Sequence, residues 1–238
     1  MQAIILNSGI GSRLKKYTMY NPKCMVSLFD DETIIQYQLK RLQQCGIKKV
    51  TISTGYMHRQ LKEYIEKLSM DINFEFVYNE EYFKTNYIVS MDKIYNIEDD
   101  ILLLHGDLVF SSYVLQSILD KKTSCVVVDT LLPLPEKDFK AKVLDGKVVK
   151  IGINYFGKDC VTLQPMYYLK KQDWLLWKKE IREFCIAEKT GVYAEEAFNK
   201  ISDKICLEPF DIQGALCNEI DNEEDLFQIR KRLKEEKV

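Results

Sequence analysis

Residues 3–13 run Ala3-Ile4-Ile5-Leu6-Asn7-Ser8-Gly9-Ile10-Gly11-Ser12-Arg13, a strand followed at once by a glycine loop. Ala3–Leu6 is a short apolar run of β type, and Ser8–Ser12 breaks it at once. In a parallel sheet the loop beyond a strand's C-terminal end faces the ligand crevice. Glycines there let backbone N–H groups approach phosphate oxygens without a Cβ in the way. Arg13 adds a fork of donors, and Lys23, in Pro22-Lys23, adds a point charge. Two cations serving one small loop suit a triphosphate better than a single phosphate. The stretch lacks the third glycine of the dinucleotide-binding fingerprint, and no Gly-Lys-[Ser/Thr] follows as in a P-loop. Taken alone, it also reads as a glycine-rich turn with a surface arginine.

Outward from that loop, strands and helices alternate. Ile35, Leu39 and Leu42 recur at helical spacing, with Gly46 as a C′ residue. Val50–Ser53 reads as a second strand. Leu61, Tyr64, Ile65 and Leu68 form a helix face, and Phe74, Phe76 and Tyr78 alternate as a third strand would. Ile101–Leu104 and Cys125–Val128 are continuous apolar runs, as expected of strands buried on both faces. Val114, Leu115 and Ile118 mark a helix between them. Such alternation implies an α/β fold with a mostly parallel, doubly wound sheet. The second half changes character. Lys142–Leu144 and Lys147–Ile151 flank an Asp145-Gly146 hairpin turn, and Val161–Leu169 is a further strand. Helices are expected over Trp174–Ile186, Tyr193–Ile201 and Asn222–Lys237, with Trp174 and Trp177 in the core.

Composition bounds the function. At roughly 150 residues per domain, 238 residues make one domain, here a nucleotide-binding half over 1–129 and an acceptor-binding half over 130–238. The 34 basic and 36 acidic residues leave a net charge of −2, which gives no basis for nucleic-acid or anionic-membrane partners. Seven widely spaced cysteines without a C-x-x-C pair, and two histidines, do not form a zinc pattern. They read as reduced thiols of a cytoplasmic protein. The N-terminus carries no basic n-region, and no apolar stretch approaches the length of a membrane span. The aromatic-rich second half offers a face for a homodimer but does not demand one.

The stretches IILNSGIGSR (4–13), NPKCMVSL (21–28), LQQCGIKKVTISTGY (42–56) and HGDLVF (105–110) together resemble bacterial nucleotidyltransferases. These couple a nucleoside triphosphate to a phosphorylated small molecule. With VYNEEYFKTNYIVSM (77–91) and EIDNEEDL (219–226), the resemblance is to the choline-phosphate cytidylyltransferase branch. It covers most of 1–128 and resumes at 215–226, while 130–210 matches poorly. The resemblance implies a Rossmann-like nucleotidyltransferase fold with a β-hairpin and helical acceptor-binding insertion. It implies small-molecule substrates, CTP and a phosphorylated acceptor, on the route to a cell-surface polysaccharide precursor. Leu6, Asn7, Ser8, Gly9, Gly11 and Ser12 would hold the nucleotide, and Arg13 and Lys23 its phosphates. Asp107 and Asp221 would hold Mg²⁺, with Arg13, Lys23 and Asp107 as the catalytic set. Gly55, Tyr56, Thr85 and Asn86 fall near the base or acceptor. Asn7 departs from the family, which usually has alanine there.

For the acceptor, the resemblance points to Lys142, then Lys140, on its phosphate. Phe139, Tyr193 and Glu195 suit a nitrogen-bearing group through cation–π and charge contacts. Phosphocholine, aminoethylphosphonate and glutamine phosphate all fit. The residues alone leave other readings open. Asp107 and Asp221 each precede a helix and could cap it, and charged residues before an exposed hairpin are usually just solvated. A hexose-1-phosphate nucleotidyltransferase and a non-catalytic nucleotide-binding regulator are the alternative functions.

Overall fold

The computed structural model describes residues 1–29 and 32–235. The first half is built from β1 (Gln2–Asn7), β2 (Ser27–Phe29), β3 (Glu32–Thr33), α1 (Ile34–Gln44), β4 (Lys49–Thr54), α2 (His58–Lys67), β5 (Asn73–Tyr78), α3 (Tyr87–Asp92), β6 (Ile101–His105), β7 (Leu108–Phe110), α4 (Ser112–Leu119) and β8 (Cys125–Asp129). The second half adds β9 (Lys140–Leu144), β10 (Lys147–Gly152), β11 (Cys160–Leu169), α5 (Lys171–Ile186), α6 (Ala194–Ile201), β12 (Glu208–Asp211), β13 (Cys217–Glu219) and α7 (Glu223–Glu235). The expected last helix ran on to Lys237; Glu236 and Lys237 lie outside the described residues.

The main sheet runs β10-β9-β11-β6-β1-β4-β5, with β8 on the other edge of β11 and β12 on β8. β5, β4, β1 and β6 are parallel neighbours. β11 enters antiparallel between β6 and β8. The sheet is mixed but mostly parallel, as the alternation of strands and helices requires. Burial follows the two-residue period of a strand covered on both faces. Ile4, Leu6, Ile101 and Leu103 join a core with α3, α5 and α6. Ala3, Ile5, Leu102 and Leu104 face the opposite core, with α1, α2 and α4. A third cluster ties α7, through Leu226, Ile229 and Leu233, to Leu14, Val26, Leu28 and Tyr37.

The Asp145-Gly146 turn closes the β9–β10 hairpin with φ of 48° and 73°, the left-handed pair of a type I′ turn. Several short elements carry no readable sequence signal, β2 and β3 among them. α3 is six residues and buried all round, so it shows no amphipathic period. β7, β12 and β13 are three or four residues each.

Trp174 and Trp177 are core residues, each 1% exposed. Trp177 packs edge-on against Tyr167 and Phe198, and its Nε1 donates to the Ala194 carbonyl at 2.9 Å. That bond pins the start of α6 beside Tyr193. Trp177→Phe leaves the carbonyl unpaired and is expected to lower unfolding free energy by about 2 kcal/mol, measured by urea titration.

Candidate active site

The carboxyl ends of β1 and β6 open into a cavity of about 420 Å³. The loop after β1 forms one wall. Gly11 adopts φ of 69°, and a Cβ there would lie 2.9 Å from Cβ of Lys23. Glycine at this position therefore lets the Lys23 segment pack against the loop. Lys23 Nζ reaches two carboxylates at once, Asp107 and, at 2.6 Å, Asp221. Arg13 Nη2 lies 2.9 Å from the same Asp221 oxygen.

Asp221 arrives there through a ladder of two short strands. β13 pairs antiparallel with β7, Glu219 lies opposite Leu108, and the Ile220 N–H donates to the Asp107 carbonyl at 3.0 Å. Helix capping is done by other residues. Ser111 Oγ accepts from the Val114 N–H at the head of α4. At the head of α7, Asn222 Oδ1 accepts from Glu224 and Asp225 N–H, and Asp225 Oδ2 accepts from Asp221 and Asn222 N–H. The capping alternatives for Asp107 and Asp221 thus fall to neighbours, and both side chains turn to Lys23.

Burial opposes the Lys23 charge, but Asp107 and Asp221 outweigh it and hold the ammonium above its ordinary value. Burial likewise works against an ionised Asp107, yet Lys23 and His105 hold it below the usual carboxylate range. Glu219 behaves differently. Burial and the neighbouring Asp107 charge push it up to about 7, against the pull of His105. His105 Nδ1 lies 3.1 Å from Glu219 Oε1, and burial is outweighed by that contact, which raises the imidazole. His105, Asp107 and Glu219 offer ligand atoms within 4.8 Å of one another. Two carboxylates and an imidazole nitrogen are ligand types a divalent cation accepts, and Asp221, on the other side of Lys23 from Asp107, offers a further carboxylate once the ammonium is drawn away.

Of the residues expected from sequence, Leu6, Asn7, Ser8, Gly9, Gly11, Ser12, Arg13, Lys23, Asp107 and Asp221 line this one cavity, as do Thr85, Asn86, Phe139 and Tyr193. Five expected residues do not line it. Gly55 and Tyr56 lie behind the loop, Gly55 against the Ser8 carbonyl and Tyr56 donating to Met19 O at 3.2 Å. Lys142 faces the β10–β11 turn and pairs with Asp159 at 3.0 Å. Lys140 donates to the Pro135 carbonyl, with Nζ 4.3 Å from the Phe156 ring centroid. The chain has left the cavity before either lysine is reached, and Lys137 takes the wall position instead. Glu195 also lies off the wall, 1% exposed, accepting from Tyr87 and, at 3.0 Å, from Tyr167. Sequence reasoning missed Tyr82, Tyr87, His105 and Glu219, all on the wall. His105 and Glu219 stand within quoted motifs, two residues from the assigned aspartates, which was the available signal.

The profile of a family described as nucleotidyl transferase matches residues 2–130, more than half the chain. The chain belongs to that family. It is 30% identical over 164 residues to a CTP:phosphoglutamine cytidylyltransferase of Campylobacter jejuni, covering 65% of this chain and 63% of that protein. The match thus spans less than two thirds of that relative's length. It is 32% identical over 111 residues to a choline-phosphate cytidylyltransferase of Haemophilus influenzae, covering 47% and 46%. The resemblance to cytidylyltransferases read from the motifs therefore holds. The fold matches that of the inositol-1-phosphate CTP transferase of T. maritima with a TM-score of 0.77 and 22% identity, over 98% of this chain and 96% of that one.

The charge cluster has a measurable signature. Lys23→Met leaves the half-buried Asp107 without its ammonium partner, while Asp221 keeps Arg13, and is expected to cost about 3 kcal/mol at pH 7, measured by urea unfolding. Asp107 is held low when folded, so its contribution is present above roughly pH 4 and is lost as pH falls through the folded value. Lys23 is held high, so its contribution is lost only as pH rises through its folded value. The gap between wild type and Lys23→Met therefore narrows on acidification below about pH 4.

Proposed function

We propose that the protein is a cytidylyltransferase joining CTP to a small phosphate or phosphonate monoester that bears an amino, ammonium or amide group. The observation that carries this reading is Lys23 bridging Asp107 and Asp221 beside the glycine loop. In the proposed reaction an acceptor oxygen attacks the α-phosphorus. The new P–O bond forms in line as the bond to pyrophosphate breaks. That oxygen is already anionic, so no general base is needed. The work is positioning and charge neutralisation.

Arg13 and Lys23 would hold the departing pyrophosphate. Both cations are paired with carboxylates in the free protein, so an anionic triphosphate competes with Asp107 and Asp221 for them. Mg²⁺ held by Asp107 and Asp221 would supply the charge that neutralises those carboxylates and the phosphates together. Lys23 would then be free to donate to phosphate oxygens.

The acceptor end has a matching chemistry. Phe139 and Tyr193 meet edge-on with centroids 5.0 Å apart, and Tyr193 lies 5.8 Å from Tyr87. These aromatic faces, with Glu219, suit a nitrogen-bearing group. Lys137 would meet the acceptor phosphate. Similarity to a phosphoglutamine and a choline-phosphate enzyme supports the same class.

Pyrophosphate release with Mg²⁺ and each ribonucleoside triphosphate, crossed with glutamine phosphate, phosphocholine, aminoethylphosphonate and glucose-1-phosphate, tests the proposal. Release is expected with CTP and a nitrogen-bearing acceptor. Lys23→Ala and Asp107→Ala are each expected to lower it by about a hundredfold or more. Release with glucose-1-phosphate alone would assign the hexose reading, and variants within a few-fold of wild type would overturn the site assignment.

A further inference from the structure

We infer that the Asn7 side-chain amide is a specificity-determining donor to the ribose–α-phosphate portion of the bound nucleotide. The inference rests on the nucleotide-binding reading above and adds to it a named atom. Asn7 is the last residue of β1, 9% exposed, and lines the cavity. Its backbone N–H donates to Ser53 Oγ at 3.2 Å. Its side-chain Nδ2 is buried and has no hydrogen-bond partner among the described residues. Buried polar groups are nearly always paired, because an unpaired one carries its full desolvation penalty. An orphaned amide in a ligand cavity therefore marks a bond made only when the ligand is present.

The side chain is also held in one place. A Cβ on Gly106 would lie 1.6 Å from Asn7 Oδ1 and 2.2 Å from Cγ, so the amide occupies the space that the missing Gly106 side chain leaves. Gly106 itself is bound back to β1, its N–H donating to the Leu6 carbonyl at 3.0 Å. Asn7 thus sits where the glycine loop meets the His105–Asp107 turn. Asp107, one residue beyond Gly106, belongs to the reacting centre. The ligand atoms facing Asn7 are those next to the reacting phosphorus: the α-phosphate oxygens and the ribose hydroxyls. The base and the outer phosphates lie further along the chain of the nucleotide. The shared chemistry is an oxygen lone pair that accepts from an amide N–H. A site built to donate such a bond discriminates against ligands that lack the acceptor.

Equilibrium binding of Mg²⁺ complexes of CTP, 2′-deoxy-CTP and inorganic triphosphate to wild type, Asn7→Ala and Asn7→Asp tests this, together with the thermal midpoint of each free protein. Asn7→Ala is expected to weaken CTP about tenfold, the value of one such bond, with inorganic triphosphate unchanged where the acceptor is a ribose hydroxyl and weakened alike where it is an α-phosphate oxygen. Its free-state midpoint should fall only by the packing lost beside Gly106, since Nδ2 makes no bond within the described residues. Asn7→Asp exchanges the donor for a carboxylate and should weaken CTP further. A penalty that disappears with 2′-deoxy-CTP assigns the 2′-hydroxyl; one that persists assigns the α-phosphate or the 3′-hydroxyl. CTP binding within twofold of wild type in Asn7→Ala would overturn the inference. So would undiminished CTP binding in Asn7→Asp. Failure of the wild type to bind any nucleotide would overturn the functional reading itself, and this inference with it.

Discussion

One ammonium group organises the candidate active site. Lys23 Nζ sits between Asp107 and Asp221, residues separated by 114 positions in the chain, with Arg13 sharing the second carboxylate. Three segments from distant parts of the sequence meet at this point. They are the loop after β1, the turn after β6 and the strand before α7. Such an arrangement is costly to assemble from water, and it is stable only while positive and negative charges balance. The same dependence makes it responsive. A ligand that brings both a triphosphate and a divalent cation exchanges every partner in the cluster without leaving a charge unmatched.

The fold explains why these segments can meet. β1 and β6 are neighbours in the parallel part of the sheet, so their carboxyl ends open side by side. Both strands are buried on two faces, and alternate residues supply two separate cores. Register between them is fixed by that burial, because a slip of one residue would exchange the two faces. The β7–β13 ladder then carries the chain from the last part of the sequence back to the Asp107 turn. The third cluster, beneath α7, holds that return in place against Leu14 and Val26, which flank the glycine loop and the Lys23 turn.

Much of this was legible in the sequence, for reasons tied to particular residues. β1, β6 and β8 are built on continuous apolar runs, β4 alternates Val50 and Ile52 with threonine and serine, and the Asp145-Gly146 turn declares its hairpin. The cavity-lining residues Ser8, Gly9, Gly11, Arg13 and Lys23, proposed to face phosphate, lie in one local stretch, so their proximity needed no long-range knowledge. The acceptor side was harder. α3 has no amphipathic period because it is buried on every side, and it brings Tyr87 to the wall. The lysine on that wall is Lys137, not Lys142 or Lys140, because the chain turns away where β9 begins. Glu195 looked available for a ligand but is spent on two tyrosine hydroxyls. These outcomes depend on which face of a short segment meets the cavity, and local spacing does not encode that.

In the proposed reaction Asp107 and Asp221 accept a divalent cation as the nucleotide takes Lys23 and Arg13. Calorimetric titration of CTP into the wild-type protein, with Mg²⁺ and with a chelator, tests it most directly. CTP is expected to bind at least about tenfold more tightly with Mg²⁺, since without it the triphosphate meets two uncompensated carboxylates. Equal affinity in the chelator would contradict it.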